Sequence, residues 1–346
     1  MGRVTIKDIA KRAGVSKTAV SFAFNDPSRL SKATAENILR AAKELGYAPH
    51  PVARSLSTKR TGVIGVLMPQ DVATMLENPF FIQFLRGIGQ VCLEEGVFVL
   101  LAAPVQGSLQ VTVDRAIVDG FIVMGLGGRD PVVDLLQHRG IPFVLVDSEP
   151  LDDVPGVNID DRSGARAIMK YVLDQGHRRI AIVGFQSCEK GAWQRWWGTL
   201  QWRLEGYADA LTTVGLSLQS PHVHILECEN NLEGGAEAFR LLWQITPRPT
   251  AVVAMSDIIA LGILKETSEH GIEVPLHLSV AGYDGVPEAQ LSAPPLTTVH
   301  QSSTEKGKRA AELLVRLLAG ERVNEHLTLP TRLVVRASVA ALPSQI

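Results

Sequence analysis

The 346-residue sequence has few cysteines and no long apolar run. Its three cysteines, Cys92, Cys188 and Cys228, are scattered and odd in number, which excludes a disulfide framework and favours a reducing compartment. There is no CxxC pair and no His/Cys cluster at metal-ligand spacing, so neither a metal nor a cofactor is expected. The longest apolar stretches, such as 97–105, are far shorter than a membrane span, and the N-terminus lacks the apolar core of a signal peptide. We therefore expect a cytoplasmic protein with no membrane partner.

Motifs for catalysis are also missing. The segment GLGGRD places Gly125 and Gly127 after a predicted strand, but Asp130 stands where a dinucleotide fingerprint requires a third glycine. The sequence contains no GxxxxGK[ST] and no GxSxG motif, and its Asp, Glu, His and Ser residues show no spacing that favours catalysis. The sequence therefore does not predict an enzyme.

Charge is spread unevenly along the chain, although the net charge is only −2. Residues 1–60 hold 12 Lys and Arg against 4 Asp and Glu, a net +8, so the remainder, with 22 basic and 32 acidic residues, carries −10. A basic segment ahead of an acidic body indicates a small module that binds a polyanion, although surface lysines also cluster by chance. A chain of this length is expected to form two or three domains.

Residues 4–25 have the pattern of two short helices joined by a tight turn. Thr5 can cap the first helix, Gly14 allows the turn, and Ser16 can cap the second helix. Each helix has one apolar face, while the outward face of the second holds Lys17, Thr18, Ser21, Phe22 and Asn25. Short polar groups, a cation and one ring on such a face are typical of a helix that enters the major groove of DNA. The alternative is an ordinary helical hairpin with a solvated face.

A third helix and a linker follow. Ser31 can cap the helix and Gly46 can end it, whereas Pro49 and Pro51 prevent a continuous helix afterwards. Residues 52–57 could form one short helical stretch, but six residues cannot hold a helix alone in water. We expect a linker that becomes ordered only when something binds it.

From Val63 onward, short apolar runs alternate with segments of helical periodicity. Continuous apolar strands separated by helices favour parallel sheets that are covered on both faces. About ten such units are too many for one small open sheet, so two α/β lobes with a cleft between them are predicted. In such sheets, ligands bind at the carboxyl ends of the strands.

Several motifs in order resemble the lac repressor family of bacterial transcription regulators over nearly the whole chain. They are VTIKDIAKRAGVS in the head, P…ARSL in the linker, and GHRRIAIVG, RLEGY, SDIIALG, LSVAGYD and PPLTTVHQ in the body. The resemblance implies an all-α helix-turn-helix head at 1–48, a hinge helix at 49–61, and a two-lobed core of parallel sheets, like a periplasmic binding protein, at 62–346.

The same resemblance implies a function. A homodimer is expected to bind a pseudopalindromic operator in double-stranded DNA and to repress transcription. A small polar effector, such as a sugar or sugar derivative, is expected to control operator affinity allosterically. Inducer and corepressor both remain open. No heptad tail follows RLVVRASV, residues 332–339, which favours a dimer over a tetramer.

For the head, the resemblance places Lys17, Thr18 and Phe22 where base edges are read. Phe22 departs from the more usual polar residue, so it is expected either to contact thymine methyls or to pack against the third helix. Leu56 is either the wedge that enters the minor groove or a merely exposed linker leucine. The implied set of DNA-binding residues is Thr5, Ser16, Lys17, Thr18, Ser21, Phe22, Asn25, Arg54 and Leu56.

For the core, the resemblance places Arg203 at the ligand-clamping arginine, with Asp284 as the matching acceptor. Ser256 is either a ligand contact or a plain helix cap, Asp160 either a ligand contact or the cap of the helix at Ser163, and Phe80 either faces the cleft or belongs to the core. The implied set of effector-binding residues is Phe80, Asp160, Trp193, Trp197, Arg203, Ser256, Asp284 and Gln301.

The segment GAWQRWWGTLQWR, residues 191–203, holds four of the five tryptophans. We expect a loop in which Trp193, Trp196, Trp197 and Trp202 either stack over the effector or pack against the neighbouring lobe or the dimer partner. The segment 103–118 is about one helical turn shorter than in the family, so contacts from that region are not carried over.

Overall fold

The computed structural model describes residues 4–47, 60–127, 130–185 and 193–342. The chain divides into two compact units, residues 1–63 with 117–119 and residues 64–116 with 120–346. The predicted Arg54 and Leu56 contacts lie outside the described residues.

The first unit contains a three-helix head made of α1 (Ile6–Ala13), α2 (Lys17–Asn25) and α3 (Lys32–Glu44), with a 3-10 turn at Pro27–Arg29. Gly14, at φ +67°, ends α1, and the Ser16 hydroxyl accepts a hydrogen bond from the Ala19 amide at 3.1 Å at the start of α2. The apolar faces of the helices meet around Ile9, Val20 and Ile38, all fully buried. The predicted helix-turn-helix is confirmed.

The second unit holds two six-stranded sheets, each in its own lobe. Lobe 1 has the strand order β11-β5-β4-β3-β1-β2. Its strands are β1 (Val63–Leu67), β2 (Phe98–Ala102), β3 (Gly120–Met124), β4 (Phe143–Val146), β5 (Gly156–Ile159) and β11 (His326–Leu329), and its helices are α4 (Val72–Glu77), α5 (Pro79–Glu95), α6 (Leu109–Arg115), α7 (Pro131–His138) and α13 (Ser303–Leu318).

Lobe 2 has the strand order β12-β10-β9-β8-β6-β7, in which β12 pairs antiparallel with β10 and the other recorded pairs are parallel. Its strands are β6 (Ile180–Phe185), β7 (Val223–Cys228), β8 (Ala251–Ala254), β9 (Ser279–Asp284), β10 (Thr297–Gln301) and β12 (Thr331–Val334), and its helices are α8 (Asp161–Asp174), α9 (Gly198–Thr212), α10 (Leu232–Leu242), α11 (Asp257–Glu269) and α12 (Pro287–Leu291). The predicted two-lobed α/β core is confirmed.

Within the described residues, the chain crosses from one lobe to the other at three places. These are the connections from β5 to α8, from β10 to α13, and from β11 to β12. Helix α13 therefore follows directly on a strand of lobe 2 but packs against α5, β3 and β4 of lobe 1. These crossings lie beside the carboxyl ends of β5 and β10, where the sequence predicts the ligand site.

Two expectations from the pattern were wrong in detail. Strands β5, β7, β10, β11 and β12 were missed. Strands β7, β11 and β12 are largely half-buried or exposed at sheet edges and so lack a continuous apolar run, whereas β5 and β10 are mostly buried but their sequences, GVNI and TTVHQ, include polar residues. Helix α9 begins at Gly198 rather than near Arg203, because Leu200 and Leu204 pack into the core of lobe 2. Trp202 is therefore a helix residue, and the four tryptophans do not share one loop.

Three helix pairs approach so closely that glycine stands where they meet. A Cβ atom added at Gly87 of α5 would collide with the Thr304 carbonyl of α13, and one at Gly235 of α10 would collide with the Ile259 carbonyl of α11. A Cβ at Gly206 of α9 would likewise meet the Arg162 carbonyl of α8. In each pair, backbone packs on backbone. No helix in the described part of the chain is long and apolar enough to cross a membrane.

Candidate functional site

The outward face of α2 carries five of the predicted DNA-binding side chains. Lys17, Thr18 and Asn25 are exposed, and Ser21 is half-buried with its hydroxyl 3.3 Å from the Asn25 amide nitrogen, which donates to it. None of these side chains belongs to the head's apolar core as described. The buried face of α2 fixes the helix, while the polar face stays available to a partner.

Phe22 is half-buried, and an arginine lies over its ring. The Arg29 guanidinium lies 5.1 Å from the ring centroid, and its Nε is 2.9 Å from a carboxylate oxygen of Asp26. Phe24 is the ring that packs towards the end of α3, with its centroid 5.7 Å from that of Tyr47. Sequence reasoning missed Arg29, which lies beyond α2 in the 3-10 turn.

Thr5 and Ser16 cap helices in the structure. The Thr5 amide and hydroxyl donate to the Asp8 carboxylate at 2.9 and 2.7 Å, and Ser16 accepts from Ala19 as described above. A phosphate contact by either hydroxyl would be added to its capping role.

Lobe 2 holds a buried ion pair between helices α8 and α9. Arg203 is 5% exposed and Asp161 1% exposed, and Arg203 Nε donates to Asp161 Oδ1 at 2.7 Å. Arg203 also donates through Nη1 to the Met255 carbonyl, and its guanidinium stacks 3.7 Å from the Tyr283 ring centroid. The predicted clamp is therefore held in place by its neighbours, among which Asp161 was not predicted.

Asp284, at the end of β9, joins this cluster from the other side. Its Oδ1 lies 3.9 Å from Arg203 Nη1 and accepts a hydrogen bond from Gln301 Nε2 at 2.6 Å. Gln301 ends β10, so two neighbouring strands present these two side chains at one edge of the sheet. The structure thus brings together Arg203, Asp284 and Gln301, as the sequence predicts.

A lysine that the sequence analysis did not consider continues the cluster into lobe 1. Lys306 of α13 is fully buried, and its Nζ donates to the Gln301 side-chain oxygen at 2.6 Å and to both Asp147 carboxylate oxygens at 2.7 and 2.8 Å. Asp147 follows β4. Phe80 is buried in lobe 1, with its ring centroid 5.1 Å from Lys306 Nζ, so it belongs to the core and also flanks the cluster.

Ser256 lies directly before α11 and next to Met255, but its side chain does not cap that helix. Its hydroxyl oxygen is buried, as is Asp161 Oδ2, and neither has a hydrogen-bond partner among the described residues. Buried polar atoms normally find partners, so these two oxygens mark where a ligand could donate hydrogen bonds. Asp160, by contrast, is exposed and caps α8 by accepting from the Ser163 amide at 3.0 Å.

Burial controls the titration of the carboxyl groups. It raises the pKa of Asp284 to about 7, against the opposing effect of Arg203, and raises the pKa of Asp161 to about 6, again opposed by Arg203. Asp257, which accepts from Thr298 and from the Gly285 and Val286 amides, has its pKa raised to about 6 by the same cause. The cluster is rich in acceptors and suits a ligand that brings donors.

The tryptophans have separate environments. Trp196 is buried, and its indole nitrogen donates to Glu227 at 2.5 Å, while Trp193, in a short 3-10 helix, packs beside the core of lobe 2. Trp197 points the other way, since a Cβ at Gly127 of lobe 1 would lie 3.6 Å from its Cζ3 atom. Trp197 is thus the predicted ring that spans from lobe 2 to lobe 1. No group of three or more His, Cys, Asp or Glu suited to a metal occurs in the described ranges.

Comparison with protein families gives two matches. Residues 5–50 match the lacI family of bacterial regulatory proteins, and residues 169–339 match the periplasmic binding protein-like domain. An HTH-type transcriptional regulator of Mycolicibacterium smegmatis is 35% identical over 338 residues, covering 90% of each chain. The HTH-type transcriptional repressor CytR of Escherichia coli is 32% identical over 348 residues, covering 98% of this chain and 97% of its own.

Solved structures agree with these relatives. The lac repressor dimer bound to operator and the anti-inducer ONPF superposes with a TM-score of 0.79 at 25% identity, covering 98% of this chain and 100% of that one. The complex of the transcriptional regulator CelR with cellobiose gives a TM-score of 0.70 at 29% identity, covering 97% and 100%. These relatives are transcriptional regulators and not enzymes.

Proposed function

We propose a mechanism for this chain, which belongs to the lacI family of bacterial regulatory proteins. The chain is a DNA-binding transcriptional regulator; the proposal is that it represses transcription from a pseudopalindromic operator as a homodimer and that a small polar effector sets its operator affinity. Residues 1–48 are proposed as the head, 49–61 as the hinge and 62–346 as the effector-binding and dimerisation core. The site of action is the cytoplasm, where the operator lies, and no cofactor takes part.

The operator is proposed to be read by the exposed face of α2. Lys17 can donate to guanine O6 or N7, Thr18 can bond a base or touch a thymine methyl, and Phe22 can contact thymine methyls. Ser16 and Ser21 are proposed to contact phosphates, which fixes register without specifying sequence. Leu56 is proposed to enter the minor groove between the two half-sites, and Arg54 to contact the backbone beside it.

The effector is proposed to bind between the lobes, where strands β4, β9 and β10 end. The observation that carries this proposal is the buried polar cluster at those ends, with Asp161 Oδ2 and Ser256 Oγ lacking described partners. Both oxygens can accept hydrogen bonds from ligand hydroxyls, and Trp197 offers an aromatic face for stacking on a sugar ring. A sugar or sugar derivative fits this chemistry, and the CelR structure contains cellobiose.

Self-association is proposed from two exposed apolar regions. On the edge strand β2 and the end of α5, Phe98 is 73% and Leu93 is 85% exposed, and in lobe 2 Leu291 is 83% exposed. Exposed large apolar side chains on a sheet edge favour a protein partner, and a second copy is the proposed occupant because the lac repressor structure is a dimer. A two-fold dimer would present two heads to two half-sites.

The test combines a ligand screen with DNA binding. Operators are first selected from random duplexes by the purified protein, and specific binding is expected to weaken steeply with salt. Thermal-shift screening with mono- and disaccharides, including cellobiose and ribose, then identifies ligands, and operator affinity is measured again with each hit. A coupling of roughly 1–3 kcal/mol per site is expected. If the protein prefers no duplex over random DNA, the proposed binding of a specific operator is refuted. If a ligand binds but leaves operator affinity unchanged, the proposed allosteric control by that ligand is refuted.

A further inference from the structure

Lys306 stands out because it is a fully buried lysine. An ammonium group has three N–H donors, and here all three find acceptors, two on Asp147 and one on Gln301. The same ammonium group lies 5.1 Å from the centroid of the Phe80 ring. A buried charge with every donor occupied is held in one position, because moving any acceptor leaves the charge short of a partner.

The acceptors of Lys306 come from different lobes. Asp147 follows β4 of lobe 1, and Gln301 ends β10 of lobe 2. Lys306 itself lies in the first turn of α13, immediately after the chain crosses from β10 into lobe 1. Its ammonium group therefore joins the two lobes next to a crossing segment.

The connection does not stop at Gln301. The Gln301 amide nitrogen donates to Asp284, whose carboxylate in turn faces Arg203. A change in the spacing between Asp147 and Gln301 is thus transmitted to the lobe 2 residues at which the effector is proposed to bind. A second approach between the lobes is apolar, since a Cβ atom at Gly127 of lobe 1 would lie 3.6 Å from Cζ3 of Trp197, without any polar bond described between the two residues.

We propose that Lys306 is a positioning residue that holds the two lobes in one arrangement by bonding Asp147 and Gln301 at the same time. Because the lobe arrangement is taken to govern operator binding, the regulatory consequence rests on the proposed function, whereas the mechanical role does not. A lysine that served lobe 1 alone would need only Asp147, and its loss would leave the spacing between the lobes unchanged.

The test measures the distance between lobes in the full-length protein. Cysteines are introduced at two exposed positions, Gln137→Cys on α7 of lobe 1 and Gln201→Cys on α9 of lobe 2, in a background with the three native cysteines replaced. Spin labels on these sites give the distance distribution by pulsed electron resonance. Doubly labelled chains are mixed with an excess of unlabelled chains, so that distances between subunits do not contribute.

The variants are Lys306→Met, the neutral double variant Asp147→Asn/Lys306→Met, and the control Lys308→Met. Lys308 lies on the same helix but is only half-buried, with its Nζ 3.8 Å from Glu312. The control is expected to reproduce the single narrow distribution of the parent protein. In both Lys306 variants, the fraction of molecules outside the parent peak is expected to rise at least threefold.

A parent-like distribution in the double variant overturns the proposal, even if Lys306→Met alone is broadened, because the effect would then come from an unpaired Asp147 and not from the lost connection. If Lys306→Met does not fold, the double variant decides the question. No DNA or effector enters the measurement, so failure of the wild-type protein to bind an operator would refute the proposed function without affecting this result.

Discussion

The head and the cleft proposed for the effector each contain an arginine–carboxylate pair of almost equal length, and the two pairs differ in their surroundings. Arg12 of α1 lies 2.6 Å from Glu44 of α3, with 59% and 46% of the side chains exposed. Arg203 of α9 lies 2.7 Å from Asp161 of α8, with 5% and 1% exposed. Water can reach both partners of the first pair, whereas the second pair is almost completely buried.

The difference extends to the other functional residues of each region. On α2, Lys17 and Thr18 project into solvent, so they can change without disturbing the head's core. In the cleft, Gln301 bonds both Asp284 and Lys306, so a change at any one of the three alters the partners of another. Substitutions should therefore act additively in the head and non-additively in the cleft.

The largest expected effect comes from breaking the buried pair. Arg203→Met leaves Asp161 buried without its cation and should lower the free energy of unfolding by about 3–5 kcal/mol. Denaturant titration of the full chain measures it. Arg162→Met is the matched control, because Arg162 bonds Asp209 at 2.7 Å on the surface. If Arg203→Met lowers the free energy of unfolding as little as this control does, burial does not make the Arg203–Asp161 pair more important for stability than an exposed pair.

The next effect is a pH dependence that arises in the cleft. Since burial raises the pKa of Asp284 from 3.8 to about 7, the native state binds more protons than the unfolded chain between those values. Stability should therefore fall as pH rises through this window. Asparagine does not titrate, so Asp284→Asn removes this dependence. The difference in the free energy of unfolding, variant minus wild type, should be roughly 2 kcal/mol more positive at pH 8 than at pH 5.

The measurement is thermal or denaturant unfolding at both pH values. Asp174→Asn serves as control, since Asp174 is an exposed partner of Lys170. Equal differences between the Asp284 variant and the wild type at pH 5 and pH 8 would show that this carboxyl group does not carry the dependence.

A smaller effect is expected on DNA binding. Lys17→Ala should weaken operator binding by about 1–1.5 kcal/mol, or roughly fivefold to tenfold, with the loss concentrated at one base pair, because the proposed base contact is removed. Fluorescence anisotropy with the selected operator and its single-base variants measures this. The stability of the head should not change, since Lys17 lies outside its core. A loss that is uniform across operator variants would assign Lys17 to a phosphate.

The smallest effect is expected for the surface pair of the head. Arg12→Ala and Glu44→Ala should each change stability by less than about 1 kcal/mol, with a coupling of about 0.2–1 kcal/mol in a double-mutant cycle. Raising the salt concentration should reduce that coupling. A coupling as large as the loss in Arg203→Met would mean that exposure does not separate the two pairs.

How far the sequence predicted the structure also differs between the regions. In the head, the signals are local: Ser16 and Ser31 cap helices within three residues, and Gly14 ends α1. The exposed and buried faces of α2 follow from helical period alone. In the core, continuous apolar runs predicted most strands of both sheets, including the edge strand β2, while polar residues within β5, β7, β10, β11 and β12 hid those strands.

The cleft could be predicted only through the residues that resemble a family. Asp161 lies 42 residues before Arg203, and Asp147 lies 159 residues before Lys306, so nothing in the local pattern pairs them. A lysine in an amphipathic helix reads as a solvent-facing residue, and only the fold shows that Lys306 is internal. For Asp160 the sequence allowed either a ligand contact or a helix cap. Only the structure, in which the Ser163 amide donates to Asp160, shows that it caps α8.

The glycine contacts between helices have a consequence for how force is carried through the core. Where α5 meets α13 and α10 meets α11, no side chain intervenes that could change rotamer and take up a displacement. We therefore expect the helices within each lobe to move together. A conformational change caused by a ligand should be concentrated in the few residues that connect the lobes. Such a displacement is expected to change the position of one lobe relative to the other and to leave the packing of helices within each lobe unchanged.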